Sequence, residues 1–329
     1  MEAIRENRNE RIDSIKFWLV VLVIAGHVFS QNTFKNSFLC RVSWEWIYMF
    51  HMPLFVFISG YFSHKKSNKA FIYSILKLLE PLILFQCIFL CFIYKGEKTI
   101  LVIVTPQWIL WYLLSLIYWR TLLQFIPSKL LQNKKTVIII TFIIGILAGF
   151  LPFNRLLSLQ RTFSFLPFFF LGYYMKGKSL SRFSKYKYLC MLFLIITLII
   201  PYYYSKYLGD LNQADPYGSI YGMYSRIFIY GISIPMSISF IILCPNRPYF
   251  SKQGRYTMQY YIYHALIVIW LVATIQKYNL PNSFVAALLY TILITLFIWL
   301  LSYLPHFEKS TNPSEFLLKK NKSEKHTQI

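Results

Sequence analysis

Long apolar runs separated by short polar segments repeat along the chain from end to end. A helix that crosses a bilayer needs about 20 mostly apolar residues. About ten runs have the required character, and they predict helices at roughly 14–31, 44–62, 70–94, 107–126, 136–152, 162–175, 186–204, 224–244, 258–275 and 283–304. The pattern therefore predicts an all-α, polytopic integral membrane protein with about ten transmembrane helices.

Composition agrees with this class. Hydrophobic residues make up 57% of the 329 residues and charged residues only 14%, a balance that a soluble domain of this size does not show. The segment Met1–Glu10 is polar, and the first apolar run has no small-residue cleavage site. We therefore expect the first helix to be retained rather than removed as part of a signal peptide.

Lysine and arginine concentrate in alternate connecting segments and at both ends of the chain. The positive-inside rule then places both termini in the cytoplasm and requires an even number of crossings. We expect a cytoplasmic N-terminus at 1–13, a single ten-helix domain at 14–304 and a basic cytoplasmic tail at 305–329, in a bacterial cell membrane. Basic residues at the cytoplasmic edge set the orientation of the protein in the membrane and meet anionic lipid, which explains the net charge of +22. No base-reading motif accompanies this charge, so nucleic acid is not expected as a partner.

The first run, RIDSIKFWLVVLVIAGHVFSQ, places two ionisable side chains, Lys16 and His27, inside apolar sequence. At about 100° and 1.5 Å per residue they fall on nearly one helix face, about 16 Å apart along the axis. Titratable groups in a membrane span are costly and usually face the bundle interior or a water-filled path. We interpret both residues as functional, although Lys16 could instead be a snorkelling topology anchor.

The second run, WEWIYMFHMPLFVFISGYF, contains His51. Because the second helix descends where the first ascends, His27 and His51 are expected at similar depth below the outer face, where they could share one pocket. Taken alone, His51 could equally be a hydrogen-bonded packing residue. Pro53 is expected to loosen the helix just below His51, and Ser59-Gly60 to permit close helix packing.

These residue types suit acyl transfer to an alcohol. A neutral imidazole can take the hydroxyl proton near neutral pH, which makes His27 the candidate general base and His51 a second catalytic residue. The developing oxyanion needs hydrogen-bond donors. Arg161, Trp108 and Trp111, near the outer ends of two predicted helices, are candidates for binding the acceptor or the oxyanion, although the tryptophans could instead belong to an interfacial aromatic belt.

Three other residues, in or beside the predicted spans, each allow two interpretations. Asp13 is a helix-start or salt-bridge residue, or it joins Lys16 in an acyl-CoA site. Glu80 should be protonated or paired, either bound to Lys77 or orienting a histidine. His264 is a core residue or a site residue. The five cysteines show no metal-ligand spacing, so no metal site is predicted.

With these residues identified, the sequence resembles the membrane-bound acyltransferase family 3, most closely its fucose 4-O-acetylase-like branch. The resemblance covers about 10–305. It rests on Asp13-x-x-Lys16-x10-His27, Phe50-His51-Met52-Pro53-Leu54-Phe55 with Ser59-Gly60-Tyr61, Trp108-x-Leu110-Trp111, Arg161 ahead of Pro167-Phe168-Phe169 and Gly172-Tyr173, and Tyr261-x-x-His264.

This resemblance implies a membrane O-acetyltransferase. Its donor substrate would be cytoplasmic acetyl-CoA, its acceptor a hydroxyl of an envelope or exopolysaccharide sugar or of a lipid-linked precursor, and no cofactor would be permanently bound. Polysaccharide-assembly proteins are further candidate partners. Lys16 departs from the family pattern, because much of the family has arginine there. Lysine keeps the charge but loses the bidentate fork.

Two other classes of protein remain open at this stage. A transporter or flippase of a lipid-linked sugar would use the intramembrane His, Glu and Lys residues as a relay, but the sequence shows no convincing inverted repeat. A non-catalytic scaffold for polysaccharide assembly would not explain two histidines at matched depth. We therefore favour the O-acetyltransferase, with acceptor choice placed in the tyrosine-rich outer loop Tyr202–Tyr224.

Overall fold

The computed structural model describes residues 10–153, 155–178 and 185–314, and no β-strand occurs among them. Parts of the expected N-terminus and basic tail, 1–9 and 315–329, lie outside the described residues. The helices are α1 Glu10–Phe29, α2 Phe38–Tyr48, α3 His51–Tyr61, α4 Asn68–Ile88, α5 Ile100–Val104, α6 Trp111–Phe125, α7 Ser128–Gln132, α8 Lys134–Leu147, α9 Leu159–Tyr174, α10 Lys187–Ile196, α11 Ile199–Tyr204, α12 Ile220–Leu243, α13 Pro248–Gly254, α14 Thr257–Tyr278 and α15 Phe284–Leu301.

Within the described ranges, six helical segments are long and apolar enough to cross a membrane. They are Glu10–Phe29, Asn68–Ile93, Lys187–Tyr207, Ile220–Leu243, Thr257–Tyr278 and Phe284–Leu301. Each coincides with a predicted span, and the other four predicted spans coincide with shorter helices. The structure is thus consistent with a polytopic helical membrane protein, whereas ten crossings and cytoplasmic termini remain predictions.

The predicted span 44–62 is not one helix, and here the sequence interpretation was wrong. Helix α2 ends at Tyr48 and α3 begins at His51, with Phe50 in a non-helical conformation between them (φ −140°). Pro53 therefore lies in the first turn of α3, where its missing N–H would have had no intrahelical partner. His51 begins a helix instead of lying inside one.

Contacts divide the chain into two compact units. In the first unit, formed by 1–47, 183–198 and 238–329, α1 packs against α13, α14 and α15. The ring of Phe17 joins all four helices. It stacks on Phe250 at 5.3 Å between centroids and meets Trp299 and Tyr260 edge-on. Gly254 lets α13 approach α1 closely, because a Cβ on this residue would lie 1.8 Å from the Asp13 carbonyl oxygen.

The second unit comprises 48–182 and 199–237, and the crossing of α3 with α9 is its closest helix contact. A Cβ on Gly60 would lie 1.9 Å from the carbonyl oxygen of Phe169, and one on Gly172 would lie 1.9 Å from that of Phe57. Small residues on both helices thus allow backbone-to-backbone packing, as in many membrane helix pairs. The close packing expected at Ser59-Gly60 is confirmed.

Helix α6 is attached to α9 by buried polar contacts. The indole Nε1 of Trp119 donates to the carbonyl of Thr162 at 2.8 Å, and the hydroxyls of Ser115 and Thr162 are 2.8 Å apart. All three side chains are buried. Because buried polar groups without partners are costly, these bonds fix the register of α6 on α9. That register in turn positions Trp111 and Arg161, which lie in the first turns of the two helices.

Candidate functional site

Lys16 and Asp13 form an ion pair in the first half of α1. The Lys16 ammonium lies 2.6 Å from Asp13 Oδ1, with 21% of the lysine side chain and 4% of the aspartate side chain exposed. The expected salt bridge is therefore present. Since the carboxylate is buried and the ammonium reaches the surface, Asp13 holds Lys16 in place. The lysine remains the member of the pair that a ligand can approach.

His27 and His264 lie side by side in the first unit, and this is the arrangement closest to acid–base chemistry. His27 lies in the last turn of α1 and is half-buried, whereas His264 lies in α14 and is fully buried. Their ring centroids are 5.0 Å apart, with 60° between the ring planes. The sequence left His264 open between core and site, and the structure places it beside the proposed base.

Both imidazoles have the same tautomer for the same reason. His27 Nδ1 lies 2.8 Å from the carbonyl oxygen of Val23, and His264 Nδ1 lies 2.8 Å from that of Tyr260. A carbonyl oxygen only accepts, so each Nδ1 carries the proton and each Nε2 is the basic nitrogen. His264 Nε2 is buried, and no hydrogen-bond partner for it occurs in the described ranges. The pair therefore presents the Nε2 nitrogen of each ring among apolar helices.

His51 belongs to the second unit, at the first position of α3. Only 1% of the residue is exposed, and its ring centroid lies 4.6 Å from that of Tyr48. Its predicted cooperation with His27 therefore remains a prediction for mutagenesis.

Trp108, Trp111 and Arg161 converge on one small cavity of the second unit. The cavity has a volume of about 90 Å³ and is lined by Pro106, Trp108, Trp111, Arg155, Ser158, Arg161 and Ala214. The guanidinium of Arg161 lies 4.8 Å from the centre of the Trp111 ring, and its Nε donates to the Asn212 carbonyl at 3.1 Å. The volume equals that of about three water molecules in the liquid, enough for a hydroxyl-bearing arm of a ligand. We call it the Arg161 cavity.

The backbone around the Arg161 cavity is strained. Trp108, Leu157 and Ser158 have φ angles of +41°, +46° and +59°, in a region that costs non-glycine residues about 1–3 kcal/mol each. Two of the three line the cavity. Strain of this kind persists where surrounding structure enforces it, and it clusters at binding and catalytic sites. Sequence patterns do not reveal backbone strain at non-glycine residues, and the sequence analysis singled out neither Arg155 nor Ser158.

A basic cluster surrounds the loop after α3, in the second unit. Burial, then Lys176 and Lys66, lower the pKa of His64, and burial, then Arg120 and Lys77, lower the pKa of Lys66. Cations that depress one another's pKa values stabilise a bound anion. This loop is therefore a candidate anion-binding surface.

Glu80 lies in α4 just before Pro81 and is half-buried. The Lys77 ammonium lies 4.8 Å from the centre of the Tyr73 ring. Both interpretations of Glu80, pairing with Lys77 and orientation of a histidine, remain predictions.

Comparison with known proteins identifies relatives of the chain. The model of a family described as acyltransferase domain (Acyl_transf_3) matches residues 9–303. Nodulation protein NolL of Sinorhizobium fredii (strain NBRC 101917 / NGR234) is 42% identical over 57 residues, and this match spans 17% of the chain and 16% of NolL. No solved structure matches the chain.

Proposed function

The chain belongs to the acyltransferase 3 family and is a membrane acyltransferase, and we propose that it transfers an acetyl group from cytoplasmic acetyl-CoA to a sugar hydroxyl. The acceptor is an envelope polysaccharide or exopolysaccharide, or its lipid-linked precursor. The protein acts as a multi-pass component of a bacterial cytoplasmic membrane, with both termini inside. No permanently bound cofactor is needed. The fucose 4-O-acetylase-like branch is the part of the family that its motifs resemble most.

The histidine pair is the observation that carries this proposal. Transfer of an acyl group to an alcohol requires a base, and His27 supplies Nε2 because its Nδ1–H is bound to the Val23 carbonyl. His264, 5.0 Å away between ring centroids, limits the orientations open to the His27 ring. Neither imidazole is needed for helix formation, and a buried Nε2 without a partner costs stability, so packing alone is a poor reason for the pair.

The reaction balances with His27 as the only proton carrier. Nε2 takes the hydroxyl proton as the acceptor oxygen attacks the thioester carbonyl. The C–O bond forms, the C–S bond breaks when the tetrahedral intermediate collapses, and the proton passes from the imidazolium to the departing CoA thiolate. His27 is then neutral again. This cycle gives an O-acetyl sugar and free CoA.

The Arg161 cavity is our proposed acceptor or oxyanion subsite. Arg161 presents planar N–H donors, and its stacking on Trp111 fixes the plane of the guanidinium. Trp108 and Trp111 also line the cavity, and the indole of each carries one N–H donor. Hydrogen bonds to a developing negative charge are the largest single contribution in many acyl-transfer enzymes.

Two sets of cations are candidates for the phosphates of acetyl-CoA. One is Lys16, which Asp13 holds at 2.6 Å. The other is the basic loop after α3, where burial, then Arg120 and Lys77, lower the pKa of Lys66. Phosphate groups form strong charge-assisted hydrogen bonds with lysine and arginine. In this proposal the donor approaches from the cytoplasm and the acceptor from the outer side.

Mass spectrometry of envelope glycans from a deletion strain tests this function. O-acetyl groups should disappear on deletion and return when the gene is restored. Inside-out vesicles that contain sealed acceptor should acetylate it when acetyl-CoA is added outside the vesicle, which is the cytoplasmic face. Loss of acceptor export, with acetylation of the exported fraction unchanged, would instead identify a flippase. Equal labelling when acetyl-CoA reaches only the outer face would contradict the two-sided transfer.

A further inference from the structure

The second unit contains a large cavity that shares no lining residue with the Arg161 cavity and lies in the tyrosine-rich loop to which the sequence analysis assigned acceptor choice. It has a volume of about 970 Å³, which is at the upper end of the range for small-molecule binding sites in proteins. Its walls come from α11, the loop 205–219 and the first turns of α12. Tyrosines are prominent among the lining residues, so we call it the tyrosine cavity.

One wall of the tyrosine cavity contains a buried arginine. Arg226, in the second turn of α12, is 3% exposed. Its Nη1 donates to the Gly145 carbonyl at 3.1 Å, and its guanidinium lies 4.5 Å from the centre of the Tyr217 ring. Its Nε is buried and has no hydrogen-bond acceptor among the residues that the structure describes. The position is built to hold a cation, since Tyr217 is itself fixed by bonds to the carbonyls of Gly149 and Ile146.

The carboxylates that line the cavity do not neutralise Arg226. Asp210 accepts the backbone N–H groups of Asn212, Ala214 and Asp215, and the Asp215 carboxylate lies 3.5 Å from Arg155. Within the described part of the chain, Arg226 forms no ion pair. A buried charge without a counter-ion is expensive, particularly near a bilayer. The arrangement therefore favours an anionic group on the ligand.

The remainder of the wall favours an apolar body on the same ligand. Ile200, Leu208, Phe228 and Ile232 line the cavity together with the faces of tyrosine rings. Such side chains contribute by burying hydrocarbon from water, at about 25 cal/mol per Å². A free inorganic anion would leave this surface unused. A neutral sugar would leave Arg226 without its counter-ion.

We propose that the tyrosine cavity binds a lipid with a phosphate headgroup, the phosphate on Arg226 and the hydrocarbon chain along Ile200, Phe228 and Ile232. Two sources share this chemistry: a bilayer phospholipid and a polyprenyl phosphate that carries a glycan. Binding needs no acetyl-CoA and no histidine. For the glycan-bearing lipid the proposal rests on the proposed function, because that lipid is its lipid-linked acceptor. Lipid binding is measured without transfer, so loss of binding and loss of acetylation are separate results.

Native mass spectrometry of the full-length protein in detergent tests the site with four probes: undecaprenyl phosphate, phosphatidylglycerol, uncharged dioleoylglycerol and inorganic phosphate. We expect the two phosphate lipids to bind at least about tenfold more tightly than dioleoylglycerol, the worth of one charge-assisted bond. The tighter of the two phosphate lipids then identifies the source. Binding of dioleoylglycerol as tight as that of the phosphate lipids, or of inorganic phosphate as tight as theirs, would overturn the proposal.

Variants locate the site on the protein. Arg226→Gln should remove the roughly tenfold preference for phosphate lipids, whereas Arg226→Lys should keep most of it. Phe228 lies on the half-exposed part of the wall, and Phe228→Ala should weaken the binding of every lipid while keeping the preference for phosphate headgroups. This variant tests the site if Arg226→Gln does not fold. Lys277→Gln, an exposed cation over Tyr278, is the matched control. An unchanged preference for phosphate lipids in Arg226→Gln would contradict the site. If Arg226→Gln does not fold, unchanged lipid affinity in Phe228→Ala would contradict it.

Discussion

The imidazole of His264 lies against that of His27, 5.0 Å between ring centroids, and each ring is oriented by the backbone carbonyl four residues before it. The two rings come from α1 and α14, at opposite ends of the chain. A base that is oriented in this way needs no acidic partner to fix its tautomer. This distinguishes the pair from histidines that are oriented by a carboxylate.

His264 acts through His27 in this account, so its removal should affect turnover more than binding. His264→Phe keeps a buried ring and removes both nitrogens, and we expect kcat to fall about tenfold to a hundredfold with little change in KM for either substrate. His264→Gln restores a polar group and should recover part of the rate. Steady-state kinetics in proteoliposomes measures both. Parental kcat in a well-expressed His264→Phe protein would make His264 a core residue.

Lys16 is proposed to bind the donor, and its bond to Asp13 makes a double variant the sharpest test. Lys16→Ala alone leaves a buried carboxylate without its lysine, which can destabilise the protein by several kcal/mol. We therefore compare Asp13→Asn with Asp13→Asn/Lys16→Ala. The double variant should need about tenfold more acetyl-CoA for half-maximal rate and retain turnover at saturation. Lys16→Arg should be close to parental.

Donor titration in inside-out vesicles gives this result directly. If Lys16 only anchors the helix at the membrane boundary, Asp13→Asn and the double variant will show the same donor dependence. That outcome would remove Lys16 from the donor site and leave the role of His27 unaffected.

Arg161 is proposed to stabilise the acceptor or the oxyanion. Arg161→Gln should lower kcat/KM for the acceptor about a hundredfold, the loss seen when an oxyanion donor is removed, and should leave donor dependence unchanged. Arg161→Lys keeps the charge but loses the planar fork and should be intermediate. Lys185→Gln, an exposed cation over Tyr186, is the control. A loss in Arg161→Gln that is no larger than in the control would reduce Arg161 to a structural residue.

The close crossing of α3 and α9 predicts the effect of a single methyl group. Gly172→Ala would place a Cβ 1.9 Å from the Phe57 carbonyl oxygen, so the helices must separate, at a cost of about 1–3 kcal/mol. Gly231→Ala in α12 meets nothing within 4 Å and should be neutral or slightly stabilising. Thermal unfolding in detergent compares them. Equal midpoints would show that the crossing is looser than the structure indicates.

The sequence could predict the helices because a membrane span is a property of about 20 consecutive residues. Hydropathy located α1, and the spacing of Lys16 and His27 along one helix followed from helical geometry alone. The break before His51 escaped prediction because Met49 and Phe50 are apolar. Pro53 was interpreted as a residue that loosens one long helix, whereas it lies in the first turn of a new helix.

The partners within each site could not be predicted, because they depend on how helices pack. Tyr261-x-x-His264 indicated a residue of interest, but only the packing of α14 on α1 shows that it faces His27. Arg161 and Trp111 were singled out by residue type and position. Arg155 and Ser158 line the same cavity, and Leu157 and Ser158 there have backbone angles that favour glycine, which residue type alone does not predict.

Removal of the His27 imidazole tests whether His27 is the general base of the transfer. The measurement is transfer of labelled acetyl from saturating acetyl-CoA to sealed acceptor, in vesicles that contain matched amounts of inserted parental, His27→Ala, His27→Gln and His51→Ala protein. His306→Ala, an exposed histidine outside the helices, is the control. Loss in His51→Ala comparable to that in His27→Ala would support the predicted cooperation, and a mild loss would indicate packing.

We expect both His27 variants to lose turnover by at least about a hundredfold at every acetyl-CoA concentration, because this is the usual contribution of a general base. His306→Ala should keep the parental rate. Acetylation at the parental rate by correctly inserted His27→Ala protein would contradict the role of His27 as the general base.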